Sequence, residues 1–305
     1  MPLFDFGFLL INTLIRKVSN GSIVLIIYMD WFRSRKLSPT DLILSSLGLS
    51  RVLLEMVIIL NATTMFSFFK QTYILNEMQL IINIMWIFTN NVSLWFAASL
   101  SVLYFVKITI FSHPFFLQMK QIFSGLVPWL LLGSMVFSAV VTIIVITAWG
   151  PDFSICNPYK SLFSSSSNPE ILNFTIVSTA PNFIPIVIFL LSSVFLISSL
   201  WKHIRQVQHN GTGIKDLSTQ VHLTAIKALV SFAILYLSSF VAVTLRSTLA
   251  RRKYEQNWIS ILLGIVGVLY PSGHAIILII ISPKLKLTWM QTLRHLKCHP
   301  SEASS

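Results

Sequence analysis

Along the 305 residues, long apolar stretches alternate with short polar breaks. A helix crosses the hydrocarbon core of a bilayer in about 20 apolar residues, because each residue adds about 1.5 Å along the axis. Seven such runs fit without overlap, at residues 6–29, 41–60, 80–106, 122–149, 177–201, 224–245 and 258–282. Backbone N–H and C=O groups have no water to turn to inside lipid, so these runs are predicted as helices rather than open strands. The pattern therefore predicts an all-α membrane protein: a seven-transmembrane-helix bundle forming one domain over residues 1–305, with a cytoplasmic tail at 283–305.

Composition narrows the class. With 54% hydrophobic residues, 10% charged residues and a mean hydropathy of +0.76, there is too little polar surface to cover a soluble globule of this size. The formal net charge of +12 would suit nucleic acid, but the cations gather at the ends of apolar runs and form no stripe interleaved with exposed aromatics. Membrane lipid is the expected partner, and nucleic acid is not. Positively charged flanks stay on the cytoplasmic side during insertion. Arg33, Arg35, Lys36, Lys107, Lys120, Lys202, Arg205, Lys284 and Lys286 favour an extracellular N-terminus and a cytoplasmic C-terminus, against Lys70, Lys160, Arg246 and the Arg251-Arg252-Lys253 run on the other side. The first apolar run carries Arg16 and Lys17 near its middle and has no basic stretch ahead of it, so it is expected to act as its own insertion signal rather than be cleaved. The two cysteines, Cys156 and Cys298, fall on opposite sides of the membrane in this topology and cannot pair.

The most specific segment is Asn90 to Pro114, an apolar span running into a cationic, aromatic end. Its Asn90, Ser93, Trp95, Ala97, Leu100, Tyr104, Lys107, Ile108, Phe111, Ser112 and Phe116 resemble the third transmembrane helix of the type 2 (bitter) taste receptors. Further matches follow in order. Asn20-Gly21, Asp30-Trp31, Arg35-Lys36-Leu37-Ser38, Asp41 and Leu49-Ser50-Arg51 resemble that family's first two helices. Leu200-Trp201-Lys202-His203 and Ala225-Ile226-Lys227-Ala228-Leu229 are similar to the ends of its third inner loop, while His274 and Ser282-Pro283-Lys284-Leu285-Lys286 resemble its seventh helix. The resemblance implies a G-protein-coupled receptor at the plasma membrane that binds small bitter agonists from outside and activates a gustducin-type heterotrimeric G protein. The rival readings are a vomeronasal type 1-like pheromone receptor and, from another class, a membrane channel or carrier.

Candidate residues fall into three groups. On the outer half, Trp86 and Asn90 are four apart and share a helical face, so broad apolar area stands beside one amide donor and acceptor. The resemblance implies that they meet the agonist; the alternative is an interfacial anchor and an interhelical hydrogen bond. Phe183 and Pro185, Phe240 and Thr244, and Gly264 and Gly267 are further candidates on the fifth, sixth and seventh runs. In the middle, Arg51 and Glu55 are spaced i, i+4 within an apolar run, where an unpaired charge costs about 2.5–3.5 kcal/mol, and they are expected to neutralise one another. The resemblance implies that Arg51 is a hub joining Asn20 to Ser272 or His274, rearranged on activation; the alternative is a charge satisfied locally by Glu55 and carbonyls. At the inner edge, Tyr104, Lys107, His222 and Lys227 are the expected G-protein seam; ordinary positive-inside topology would leave the same cations there.

The sequon Asn173-Phe174-Thr175 in the second outer loop is the expected glycosylation acceptor, with Asn61-Ala62-Thr63 a second. No cofactor is expected. Residues 258–282 hold no lysine for a Schiff base, and His295, Cys298 and His299 are read as a solvated tail rather than a metal site. With no convergent acid, base or nucleophile, the chain does not read as an enzyme.

Overall fold

The computed structural model describes residues 20–35, 37–66, 72–108, 114–149, 180–209, 226–227, 230–242, 245, 259, 262–263, 266, 273–274, 276–280, 287 and 290. Helix α1 covers 20–34, α2 Pro39–Phe66, α3 Thr72–Ile108, α4 Pro114–Trp149 and α5 Phe183–His209, the last preceded by a 3-10 turn at Ala180–Asn182. Helix α6 is seen as Val230–Ala242, and α7 at 273–274 and 276–280. Among the described residues, four stretches are long and apolar enough to cross a membrane: Pro39–Asn61, Met78–Val106, Gly125–Thr147 and Ala180–Lys202.

The helices overrun the apolar runs that announce them. Helix α3 starts at Thr72 rather than 80, α4 at Pro114 rather than 122, and α5 continues to His209 rather than stopping at 201. Once nucleated, a helix gains one backbone hydrogen bond per added residue, so it continues into the polar interface until a chemical stop ends it. Proline supplies two of the starts, Pro39 and Pro114, because its fixed φ suits the first helical position, where its missing N–H has no helical acceptor. Ser38 caps α2: its Oγ accepts the Asp41 N–H at 3.1 Å and donates to Asp41 Oδ2 at 2.7 Å. At the other side of that loop, α1 ends where the Arg35 N–H reaches the Trp31 carbonyl at 2.7 Å and Arg35 takes φ 55°.

One buried cluster runs through every helix. It includes Ile23 and Ile27 of α1, Ile43 and Leu47 of α2, Phe96, Leu100 and Leu103 of α3, Val127 of α4, Phe189 of α5, Phe232 and Tyr236 of α6, and Ile279 of α7. Between lipid-bathed helices there is little hydrophobic gain, so close packing and interhelical hydrogen bonds hold the bundle. Gly48 shows how close the approach is: a Cβ there would stand 2.8 Å from Val24 Cγ2 and 3.3 Å from the Asn20 carbonyl oxygen on α1. The outward faces stay apolar, as Trp129, Val136 and Ile143 on α4 illustrate, because their solvent is lipid rather than water.

Helix α3 leans across the bundle. Asn83, Asn90 and Ser101 are separated by nearly whole numbers of turns and therefore lie in one stripe. At the upper end of that stripe, Gln79 Nε2 donates to Asn83 Oδ1 at 3.0 Å and to Asn61 Oδ1 of α2 at 3.4 Å. At its lower end, Ser101 is joined to Ser192 of α5 by a hydrogen bond of 2.5 Å between hydroxyl oxygens. The same face that begins against α2 ends against α5, which leaves Asn90 between the two.

Candidate functional site

The outer half of the bundle holds the first group. Trp86 and Asn90 are both half-buried on α3, with Trp86 beside the cluster of Ile87, Val141 and Val145 that packs α3 against α4. On α5 the sequence expectation needs a correction. Phe183 is 57% exposed and faces outward, whereas its neighbour Asn182 is buried, as is Pro185. Each residue turns a helix by about 100°, so a shift of one position exchanges the lipid face for the inner one. Phe240 of α6 is half-buried against the main core. Thr244, Gly264 and Gly267 lie outside the described residues.

The described members of the second group are buried in the middle of the bundle. Asn20 of α1, Arg51 and Glu55 of α2, and His274 of α7 are each no more than 3% exposed. Arg51 and His274 stand within electrostatic reach of one another. The His274 ring lies 3.7 Å, centroid to centroid, from that of Phe232, which in turn is 4.5 Å from Phe189. Tyr236 completes the aromatic set at 5.6 Å from Phe189. Ring contacts thus run from His274 of α7 through Phe232 of α6 to Phe189 of α5. Ser272 lies outside the described residues, as do Arg16 and Lys17.

At the inner end, Tyr104 packs with Phe105 and Ile197 on the buried cluster of Leu196, Leu200 and Ile226. That contact joins α3 and α5 to Ile226, the residue beside Lys227. Lys227 is exposed, with its backbone carbonyl accepting the Ser231 hydroxyl at 2.8 Å. Lys107 belongs to the last turn of α3, while its side chain and all of His222 lie outside the described residues.

Asn61 needs the second correction. It sits inside α2, 1% exposed, with its Oδ1 accepting from Gln79. An oligosaccharide needs an amide that projects into water, and this one is packed between α2 and α3, so Asn61 is removed from the acceptor candidates. Asn173 lies outside the described residues.

With this geometry in hand, comparison with known proteins gives a consistent result. A family model described as taste receptor protein (TAS2R) matches residues 4–297. A taste receptor type 2 member 7 from Macaca mulatta is 34% identical over 284 residues, covering 90% of this chain and 88% of that protein. A member 8 from Gorilla gorilla gorilla is 32% identical over 292 residues, covering 92% and 93%. A member 9 from Macaca mulatta is 35% identical over 293 residues, covering 91% and 89%. In fold, the chain is similar to squid rhodopsin, with a TM-score of 0.64 at 14% identity over 99% of this chain and 89% of that one. The fold is that of a seven-transmembrane-helix receptor.

Proposed function

Because this chain belongs to the taste receptor type 2 (TAS2R) family, we propose that it is a bitter-compound receptor, binding small agonists from outside and activating a gustducin-type heterotrimeric G protein. The observation that carries this reading is the extent of the family match, which runs from residue 4 to residue 297 and so takes in the outer, middle and inner groups alike.

The mechanism follows from the three groups. An agonist enters among the outer halves of α3, α5, α6 and α7 and is met by Trp86 and Asn90, an aromatic surface beside an amide, suited to varied small molecules at modest affinity. It favours whichever arrangement of the helices it binds more tightly, and by no more than that difference. The aromatic set of Phe189, Phe232 and Tyr236 supports transmission, since it connects α5 and α6 to His274 and hence to Arg51. Tyr104 and Ile226 sit where α3, α5 and α6 meet at the inner end, so a change in that seam alters what Lys107 and Lys227 present to a G protein. The protein resides in the plasma membrane with its N-terminus outside, its C-terminus in the cytoplasm, and a glycan on Asn173.

The test is a calcium-response screen against bitter compounds in cells supplied with a gustducin-type G protein, with surface staining as the control. Responses are expected, and Trp86→Ala should lower agonist potency while staining persists. A silent receptor at the surface, or ligand-evoked ion flux that needs no G protein, would reject the reading.

A further inference from the structure

Ile84, Ile87, Asn91 and Trp95 follow one another on α3 at spacings of three and four, so they share one face. That face meets α4. Ile87 packs with Val141 and Val145, with Ile84 beside them, and the Trp95 ring stands edge-on to Phe137 at 5.0 Å between centroids. Residue numbers rise along α3 as they fall along α4, so the two helices are antiparallel and Asn91 lies level with the turn between Phe137 and Val141. Ser138 belongs to that turn, and at three residues before Val141 it lies on the face that α4 turns to α3.

Asn91 and Ser138 are both 0% exposed. Asn91 Nδ2 donates to the Ile87 carbonyl at 2.9 Å on its own helix, which fixes the amide so that Oδ1 is the end turned away; Oδ1 is buried and has no hydrogen-bond partner among the described residues. Trp95 Nε1 is buried and unpartnered as well. Side chains on a helix lean toward its N-terminus, so the Trp95 ring lies over the turn that carries Asn91. Ser138 sends its O–H back to the Ser134 carbonyl at 2.8 Å, which leaves Oγ as an acceptor. One N–H donor and two oxygen acceptors therefore belong to the same level of the α3–α4 seam. Asn91 and Trp95 are in the middle of the span Met78–Val106, where a polar group without a partner is costly and neither bulk water nor a headgroup is at hand.

We infer that a single water molecule is bound between α3 and α4, accepting from Trp95 Nε1–H and donating to Asn91 Oδ1 and Ser138 Oγ. The three groups call for a molecule that accepts once and donates twice, and about three hydrogen bonds is the usual complement of a buried water. A lipid or sterol hydroxyl brings only one proton to donate and stays near the headgroups, about 15 Å from the bilayer centre. The water is the polar tie of a seam otherwise filled by aliphatic and aromatic side chains, and its placement does not depend on which agonist or G protein the receptor takes.

The experiment is radiolytic hydroxyl-radical labelling of the full-length receptor in lipid nanodiscs, read by mass spectrometry at Trp95. A tryptophan in the middle of a bilayer is out of reach of radicals made in bulk water, so labelling there reports water bound beside it. Trp95 should be labelled in the wild type, and Asn91→Leu and Ser138→Ala should each abolish most of that labelling while Trp95 stays in place. Ser138→Ala is a small change that keeps the helix, so it carries the test if Asn91→Leu fails to fold. Thermal melting supplies a second reading. Trp95→Phe and Ser138→Ala should each lower the melting temperature, and the double variant should lose less than the two shifts added, because either change alone already breaks the bridge. An unlabelled Trp95 in the wild type, labelling indifferent to both Asn91→Leu and Ser138→Ala, or additive melting shifts would overturn the inference.

Discussion

Glycine and charge carry the sharpest consequences at the scale of single residues. A methyl group on Gly48 meets the side chain of Val24 and the backbone of α1, and the backbone contact at 3.3 Å can be relieved only by moving the helix. A methyl on Gly21 meets nothing within 4 Å. Gly48→Ala is therefore expected to lower thermal stability by about 1–3 kcal/mol, the range for overpacking, while Gly21→Ala leaves it unchanged or raised. Melting of the two variants in detergent measures the difference. Arg51 and Glu55 make a second case. Both are buried on one face of α2, so removing either should be costly, about 3–5 kcal/mol, because the remaining charge loses its counterpart. The double substitution to alanine should cost less than the two losses added, and additive losses in that cycle would show that the two residues are satisfied separately.

The burial of these residues was legible from sequence for a physical reason. A polar side chain inside an apolar run has few inexpensive environments, so Asn20, Arg51, Glu55 and His274 could be expected to meet one another, and all four are buried. Asn182 was not legible. It stands between Pro181 and Phe183 at the ragged start of α5, where no earlier helical turn fixes the phase, so nothing local told which of Asn182 and Phe183 turns inward. Asn61 was misread for a related reason: a sequon is a local pattern, whereas the burial of Asn61 depends on Gln79, 18 residues away on another helix.

The helices themselves follow the apolar pattern closely, and their ends follow local chemistry. Apolar length located the cores of α2, α3, α4 and α5, but Ser38, Pro39 and Pro114 decided where α2 and α4 begin. The tilt of α3 was beyond the sequence, because a stripe of Asn83, Asn90 and Ser101 does not say which neighbour each residue meets. That tilt matters for glycosylation and for packing alike. Asn61, Gln79 and Asn83 form an interhelical hydrogen-bond group, so Asn61→Gln should leave the glycan untouched while loosening the α2–α3 contact. Asn173→Gln should remove the glycosidase-sensitive shift in gel mobility. If Asn61→Gln were the variant that abolished the shift, the placement of Asn61 between helices would be wrong.

For the whole molecule, the proposed mechanism puts recognition and output at opposite ends of one bundle, joined by the core that runs through its described helices. Their separation predicts separable defects. Changing Lys107 and Lys227 together to glutamine should reduce maximal G-protein activation while leaving agonist binding close to wild type, as read by agonist competition on the same preparations. Full activation in that double variant would mean that these lysines serve topology alone and that docking falls elsewhere on the inner face.

The most direct measurement is agonist-stimulated guanine-nucleotide exchange on a purified gustducin-type heterotrimer by this receptor reconstituted in lipid nanodiscs. Exchange should rise with the concentration of a bitter agonist and shift to higher concentration in Trp86→Ala. A folded, reconstituted receptor that leaves exchange at its basal rate for every bitter compound, or one whose response is indifferent to Trp86 and Asn90 together, would contradict the account.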